Sequence, residues 1–203
     1  MSLRLFLESE SKLGGQVVRE GKELSPLYEI PRVMKGHDNG PVVVFERVKG
    51  GGMKVISGLC GTRERIFRAI GAGPGDYYSR LMEAAGSPVR PKVVEDGPVL
   101  AAHFKPDLGR LPVLTHYEKD PGPYITSGMV VARGTDGKFQ NASVHRLLVL
   151  GKDRLAIRIV PRHLYALHQE AKRRGEDLQV AIVMGSHPAV TVAHDDALPG
   201  CGP

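Results

Sequence analysis

The chain has 203 residues, enough to bury a sizeable core as one large domain or two small ones. Its composition, 41% hydrophobic and 25% charged, is that of an ordinary globular protein, and no run approaches the ~20 apolar residues of a membrane span. The formal net charge of +6 is interleaved with acidic residues, as in Arg63-Glu64-Arg65, and with 5% aromatics and no Trp it does not argue for a nucleic-acid partner.

The opening MSLRLFLESESKLGG lacks the basic-then-apolar order of a secretory signal, so a cytoplasmic protein without a membrane span is expected. The spacing of Leu3, Phe6 and Leu7 predicts a helix over 2–13, ended by Gly14-Gly15. Val42 to Phe45 suits a buried strand. The Gly50-Gly51-Gly52 turn follows, and then a second strand over Met53 to Ile56. Thr62 is placed to cap a helix over Arg63 to Ile70 with Gly71 as its stop, and Asp76 is placed to cap another. Between them, Gly71-Ala72-Gly73-Pro74-Gly75-Asp76 looks superficially like a phosphate loop. It follows a helix instead of a strand, so a helix-to-helix loop is expected.

Near Leu108 the pattern changes. Tyr124 to Arg133, Ser143 to Val149, Arg154 to Val160 and Leu178 to Met184 read as strands, with an amphipathic helix over His163 to Arg174. Lys105 to Gly109 is a plausible junction, giving an α+β chain with domains at 1–108 and 109–203. Cys60 and Cys201 lie far apart, so neither a zinc site nor a disulfide framework is expected. Of the eight histidines only His163 and His168 are close, and their five-residue gap misses the i, i+4 register of paired ligands.

The second half carries polar, chemistry-capable residues embedded among apolar strands: Thr115, His116, Tyr124, Thr126, Asn141, Ser143, His145, Arg146 and Arg158, with His163 following. An unpaired buried polar group costs ~1–3 kcal/mol, so such a cluster argues for a polar ligand site between the strands. Arg146 and Arg158 suit a phosphate in fork geometry. The Asn141 amide oxygen and His163 imidazole suit Mn²⁺ or Mg²⁺. The alternative is a half-exposed barrel with these side chains facing water, and the residues by themselves leave both open.

The same residues carry a resemblance to the UbiD-type decarboxylases, which use prenylated FMN. LRLFLESESKLGGQVVREGKEL resembles the family's first helix and strand. PVVVFERVKGGGMKVISGLCGTRERI resembles its strand, glycine turn and N-x-x-G-S/T-R-x-R segment, with Gly58 where relatives commonly carry Asn. PVLTHYEKDPGPYITSGMVVAR resembles its P-I/V-x-T-H…D-x-G-x-Y-I-T-x-G run, and QNASVHRLLVLGKDRLAIRIVPRH with LQVAIVMGSHPAVTVA its cofactor-binding segment and the following strand. The resemblance implies a mixed α/β N-terminal domain followed by the first portion of a split β-barrel flavin domain.

It implies Asn141 and His163 as metal ligands bridging to the cofactor phosphate. Val144, His145, Arg146, Arg158, Ile159, Val160, His163 and Leu164 would contact the cofactor, with Arg146 beside the substrate carboxylate. The implied cofactors are prenylated FMN and Mn²⁺ (or Mg²⁺), with K⁺ as a further ion. The implied reaction is reversible, non-oxidative decarboxylation of an aromatic or α,β-unsaturated carboxylic acid. Asn141 and Arg146 are an odd number of residues apart, so a regular strand sends them to opposite faces. Asn141 outside the strand, or a bulge, is therefore expected if both serve one site.

The family's third metal ligand, a glutamate, falls just after Pro203 by count, and Asp195 and Asp196 are weak substitutes for it. The later acidic residues of the catalytic network and the C-terminal domain also fall outside the chain. A shortened chain, a gene split into two polypeptides and a short binding protein all fit. Expected partners are a small carboxylic acid and either a second copy of the chain, as a homo-oligomer, or a complementary C-terminal chain. The reading opposed to an enzyme is a non-catalytic flavin-, phosphate- or metal-binding protein. A flavin reductase is weaker, because that chemistry has no need of Asn141 and His163.

Overall fold

A computed structural model describes residues 2–89, 92–135, 137 and 139–193, which leaves Asp195, Asp196 and Cys201 outside the described residues. Two sheets organise the chain. The first is built from β1 (Val17–Leu24), β2 (Val42–Val48) and β3 (Val55–Ser57), in the order β1-β2-β3. β1 and β2 are parallel, which requires a crossover, and α2 (Glu29–Gly36) supplies it; β3 returns antiparallel to β2. Val42, Val43, Val44 and Phe45 are all buried, so this central strand is apolar on both faces.

Local signals explain the helices around this sheet. Ser2 caps α1 (Leu3–Ser11) by accepting from the Leu5 N–H at 3.3 Å. Thr62 caps α3 (Arg63–Ile70) by accepting from the Arg65 N–H at 3.3 Å, and Gly71 stops it at φ +70°. Gly71 to Asp76 is indeed the loop between helices, leading into α4 (Tyr77–Gly86). Asp76 does not cap α4 with its side chain; its carboxylate instead accepts from the Gly73 N–H at 2.6 Å, bracing that loop. α2, which contains Pro31 in its first turn, had no counterpart among the elements expected from the residues. Its N-cap is Tyr28 in the left-handed region at φ +66°.

The charged helix α3 holds a surprise for a composition-based reading. Arg65, one of the interleaved charges of Arg63-Glu64-Arg65, is completely buried. It donates to the carbonyls of Gly58 at 2.5 Å and Gly40 at 3.0 Å, and lies 3.5 Å from the buried Glu10 carboxylate. Polar partners on several sides are what make a buried guanidinium tolerable.

The second sheet is antiparallel, in the order β6-β5-β4-β7, from β4 (Tyr124–Arg133), β5 (Gln140–Val149), β6 (Leu155–Ile157) and β7 (Val180–Val183). β6 is shorter than the Arg154 to Val160 run that the residues suggested, because pairing with β5 ends at Ile157. α5 (His163–Arg173) lays Leu164 and Leu167 on this sheet against Ile125, Val130, Ala132 and Leu147. Short α6 (Pro188–Ala193) follows β7. A parallel bridge between Leu27 and Thr115 ties the start of the second half to the edge of the first. Among the described residues no helix is long and apolar enough to cross a membrane.

Candidate functional site

β5 sets the geometry. From Gln140 to His145 it pairs residue by residue with β4, Asn141 opposite Ala132 and His145 opposite Gly128. Its side chains therefore alternate strictly over this stretch. Asn141, Ser143 and His145 leave one face, the face that carries Leu147 into the core beneath α5. Ala142, Val144 and Arg146 leave the other.

The three polar residues of the first set form a hydrogen-bonded row. Asn141 Nδ2 donates to Ser143 Oγ at 2.9 Å, and Ser143 Oγ is bonded to His145 Nε2 at 2.9 Å. Asn141 is 9% exposed, the only buried Asn among the described residues. Burial of an amide is tolerable because its nitrogen is paired, and the pairing leaves Oδ1 as the end available to a ligand.

His163 is the first residue of α5 and is half-buried. Its ring meets Phe139 edge-on at 5.7 Å between centroids, and Phe139 immediately precedes β5 on the Asn141 face. The fold thus brings the helix start that carries His163 to the strand start that carries Asn141. Arg162, the N-cap residue, offers no side-chain cap, so the first-turn amides of α5 are open to an anion. A hard amide oxygen, an imidazole and a helix N-terminus are a donor set suited to a divalent cation bridging to a phosphate. They amount to two protein ligands, and among the described residues no group of three or more His, Cys, Asp or Glu is placed to hold a metal.

The remaining candidates are dispersed. Arg146 is exposed and lies opposite Thr126 and Ser127, where β4 carries one extra residue between the pairs Ile125–Leu147 and Gly128–His145. Neither expected device is found: Asn141 lies within β5, the irregularity belongs to the neighbouring β4, and Asn141 and Arg146 start from opposite faces. Arg158 and Val160 are exposed beyond the end of β6. Ile159 packs against the core and Leu164 belongs to it, so the Leu164 side chain serves packing, and a ligand would meet its backbone amide. Val144 is half-buried on the Arg146 face. His168 is exposed on α5, away from any paired-ligand role with His163.

Two features escaped the sequence reading. The i, i+2, i+4 row through Ser143 was legible from strand alternation, had that spacing been followed from Asn141. A cleft of about 470 Å³ between the two halves was not, since it joins Val55, Ile56 and Leu59 to Pro112, Thr126, Ser127, Met184 and Ser186. It adjoins the β4 irregularity opposite Arg146.

Two family descriptions match the chain: the N-terminal domain of 3-octaprenyl-4-hydroxybenzoate carboxy-lyase over residues 10–85, and the Rift-related domain of the same enzyme over residues 92–200. The chain belongs to the UbiD carboxy-lyase family. It is 39% identical over 199 residues to a protein of Methanothermobacter thermautotrophicus named anhydromevalonate phosphate decarboxylase, covering 97% of this chain and 45% of that relative. Among solved structures it resembles the UbiD-class enzyme HmfF of Pelotomaculum thermopropionicum in complex with FMN, with a TM-score of 0.91 and 38% identity over 96% of this chain and 44% of HmfF. An evolved dimeric form of HmfF in complex with prFMN matches with a TM-score of 0.89 and 38% identity over 95% of this chain and 46% of that one. This UbiD-family chain therefore spans a little under half the length of these relatives.

Proposed function

We propose that this chain supplies the metal and cofactor-phosphate pole of a prenylated-FMN-dependent decarboxylase acting on an aromatic or α,β-unsaturated carboxylic acid. The observation that carries the reading is the buried Asn141 amide with its nitrogen paired to Ser143, on the strand whose preceding residue Phe139 meets the ring of His163 at the start of α5. In this reading Asn141 and His163 ligate Mn²⁺ or Mg²⁺, and the open amides of α5 with Arg158 hold the phosphate. K⁺ is a further ion in the same reading.

The overall reaction is redox-neutral: the bond to the carboxylate carbon breaks, CO₂ leaves, and a proton takes its place on the substrate carbon. Prenylated FMN, when bound, supplies the electron sink for that step. Arg146 orients the carboxylate through a bidentate, permanently charged guanidinium. The cleft bordered by Thr126 and Ser127 supports a substrate approach on that side of β5. In the same reading the division falls near residue 108 and the second sheet is the first portion of a split β-barrel. That division has the support of separate sheets formed by residues 17–57 and 124–183. Turnover belongs to this chain together with the C-terminal part its relatives possess, in the same polypeptide or as a partner, because proton delivery by a positioned acid is worth ~10²–10⁴ in rate.

The test combines binding and turnover. Native mass spectrometry and flavin fluorescence should report FMN uptake that rises with Mn²⁺ and is lost in an Asn141→Ala, His163→Ala double variant. CO₂ release should require the C-terminal part and fall steeply in Arg146→Ala. Uptake indifferent to Mn²⁺ and to both substitutions would remove these residues from the site. Uptake as expected with no CO₂ release from the completed protein would leave a flavin- and metal-binding protein without catalysis.

A further inference from the structure

We infer that Ser143 is a positioning residue for the divalent metal: it fixes which end of the Asn141 amide faces the ligand. The inference rests on the metal reading of Asn141 given above and goes beyond it by assigning a role to a side chain that the reading does not use.

An asparagine amide has two nearly isosteric ends, and its terminal torsion is broad and roughly two-fold. Only the oxygen end ligates a cation; the NH₂ end repels it. A buried Asn141 with no fixed partner would sample both. Ser143 removes the ambiguity. It sits two residues along the same face of β5, so alternation alone brings its hydroxyl to the Asn141 amide, and the contact is 2.9 Å.

The hydroxyl has one proton and two lone pairs, and its second contact is to His145 Nε2 at 2.9 Å. In the tautomer whose Nε2 accepts, the Ser143 proton goes to His145, the hydroxyl presents a lone pair to Asn141, and only the NH₂ end can bond to it. The Asn141 oxygen is then the end left for a ligand. The row is straight because β5 has no irregularity between Asn141 and His145; the extra residue lies in β4, beyond this stretch. Partners that orient a metal ligand through one hydrogen bond are typically worth ~10–100-fold in metal affinity.

The experiment titrates Mn²⁺ into the full chain with FMN present and follows free Mn²⁺ by electron paramagnetic resonance. Ser143→Ala is expected to weaken Mn²⁺ binding by roughly tenfold or more. Ser143→Cys, which keeps the volume but is a weak hydrogen-bonding group, should weaken it similarly and guards against a misfolded alanine variant. Ser143→Thr retains the hydroxyl on a side chain that strands accept and should restore binding to near that of the parent. Asn141→Ala should lose the most.

If Asn141→Ala weakens binding and Ser143→Ala and Ser143→Cys do not, Ser143 has no positioning role while the metal reading stands. If Ser143→Thr fails as badly as Ser143→Ala, the serine matters for packing and the inference is overturned. If Asn141→Ala leaves Mn²⁺ binding unchanged, or the parent chain takes up none, the metal reading falls and this inference with it.

Discussion

Arg68 holds Glu10 with two hydrogen bonds, Nε to Oε1 at 2.8 Å and Nη2 to Oε2 at 2.6 Å, joining α3 to α1 across 58 residues of sequence. Arg65 approaches the same carboxylate at 3.5 Å from its fully buried position. Burial pushes the Arg65 guanidinium below the usual arginine range, with Glu10 opposing that push, while the hydrogen bond to Glu10 pushes Arg68 above it. One acid thus serves two bases, only one of which reaches solvent.

Removing Glu10 leaves Arg65 as an uncompensated buried charge. Glu10→Ala is therefore expected to cost ~3–5 kcal/mol, read as a fall in the urea midpoint at unchanged slope. Arg68→Ala should cost less, because Arg68 is partly exposed and Arg65 stays near the carboxylate. Equal losses from the two substitutions would show that the pair, and not the buried Arg65, carries the cost.

Gly58 sits at φ +79°, and a Cβ there would stand 3.1 Å from the Pro41 carbonyl oxygen. Its own carbonyl receives Arg65. Asn enters the left-handed region more readily than other side-chain residues. Gly58→Ala should destabilise by ~1–2 kcal/mol and Gly58→Asn by less, although both share the Pro41 contact. Thermal unfolding of the two variants measures the difference; no difference would mean that the steric contact dominates the backbone.

Gly128 sits at the end of the β4 irregularity, where a Cβ would meet Leu147 at 3.0 Å, Ile125 at 3.2 Å and Ile182 at 3.4 Å. Gly128→Val overpacks this point and should cost ~1–3 kcal/mol. Leu147→Ala in the same chain should recover part of the loss, because it empties the nearest contact. Strict additivity of the two changes in a double-mutant cycle would place the strain elsewhere.

His187 gives a pH dependence with a definite sign. Its Nδ1 accepts from the Ala189 N–H at 3.2 Å, its Nε2 is buried without a partner among the described residues, and its ring meets Phe6 edge-on at 5.0 Å. Desolvation by burial holds the imidazole below its ordinary value of 6.5. The unfolded chain therefore takes up a proton near pH 6.5 that the folded chain refuses. The stability is full above that pH and declines as pH falls from 6.5 toward the depressed folded value. Urea midpoints across this window should slope in the parent and flatten in His187→Phe; identical slopes would assign the dependence to other groups.

The strand over 124–133, the 143–149 part of β5 and the capped helix α3 were legible in the residues, because alternation, a Thr cap and a Gly stop act within a few positions of one another, while the start of β5 at Gln140 was not. The motif runs around Thr115-His116 and Asn141 to Arg146 were equally local, and they carried the family. The sequence by itself also set the alternation that lines up Asn141, Ser143 and His145, since a strand's period is two wherever the strand lies. Only the tertiary structure decided that Arg65 is a core residue, because its partners Glu10, Gln16 and Gly40 lie 55, 49 and 25 positions away. It alone put the extra residue in β4 and not in β5, because a bulge belongs to a pairing between two strands and leaves no periodic trace in either. It alone brought His163 to the Asn141 end of the sheet, through Leu164 and Leu167 docking on Leu147. Contacts of that kind are fixed by burial of apolar area between distant segments, which no window along the chain contains.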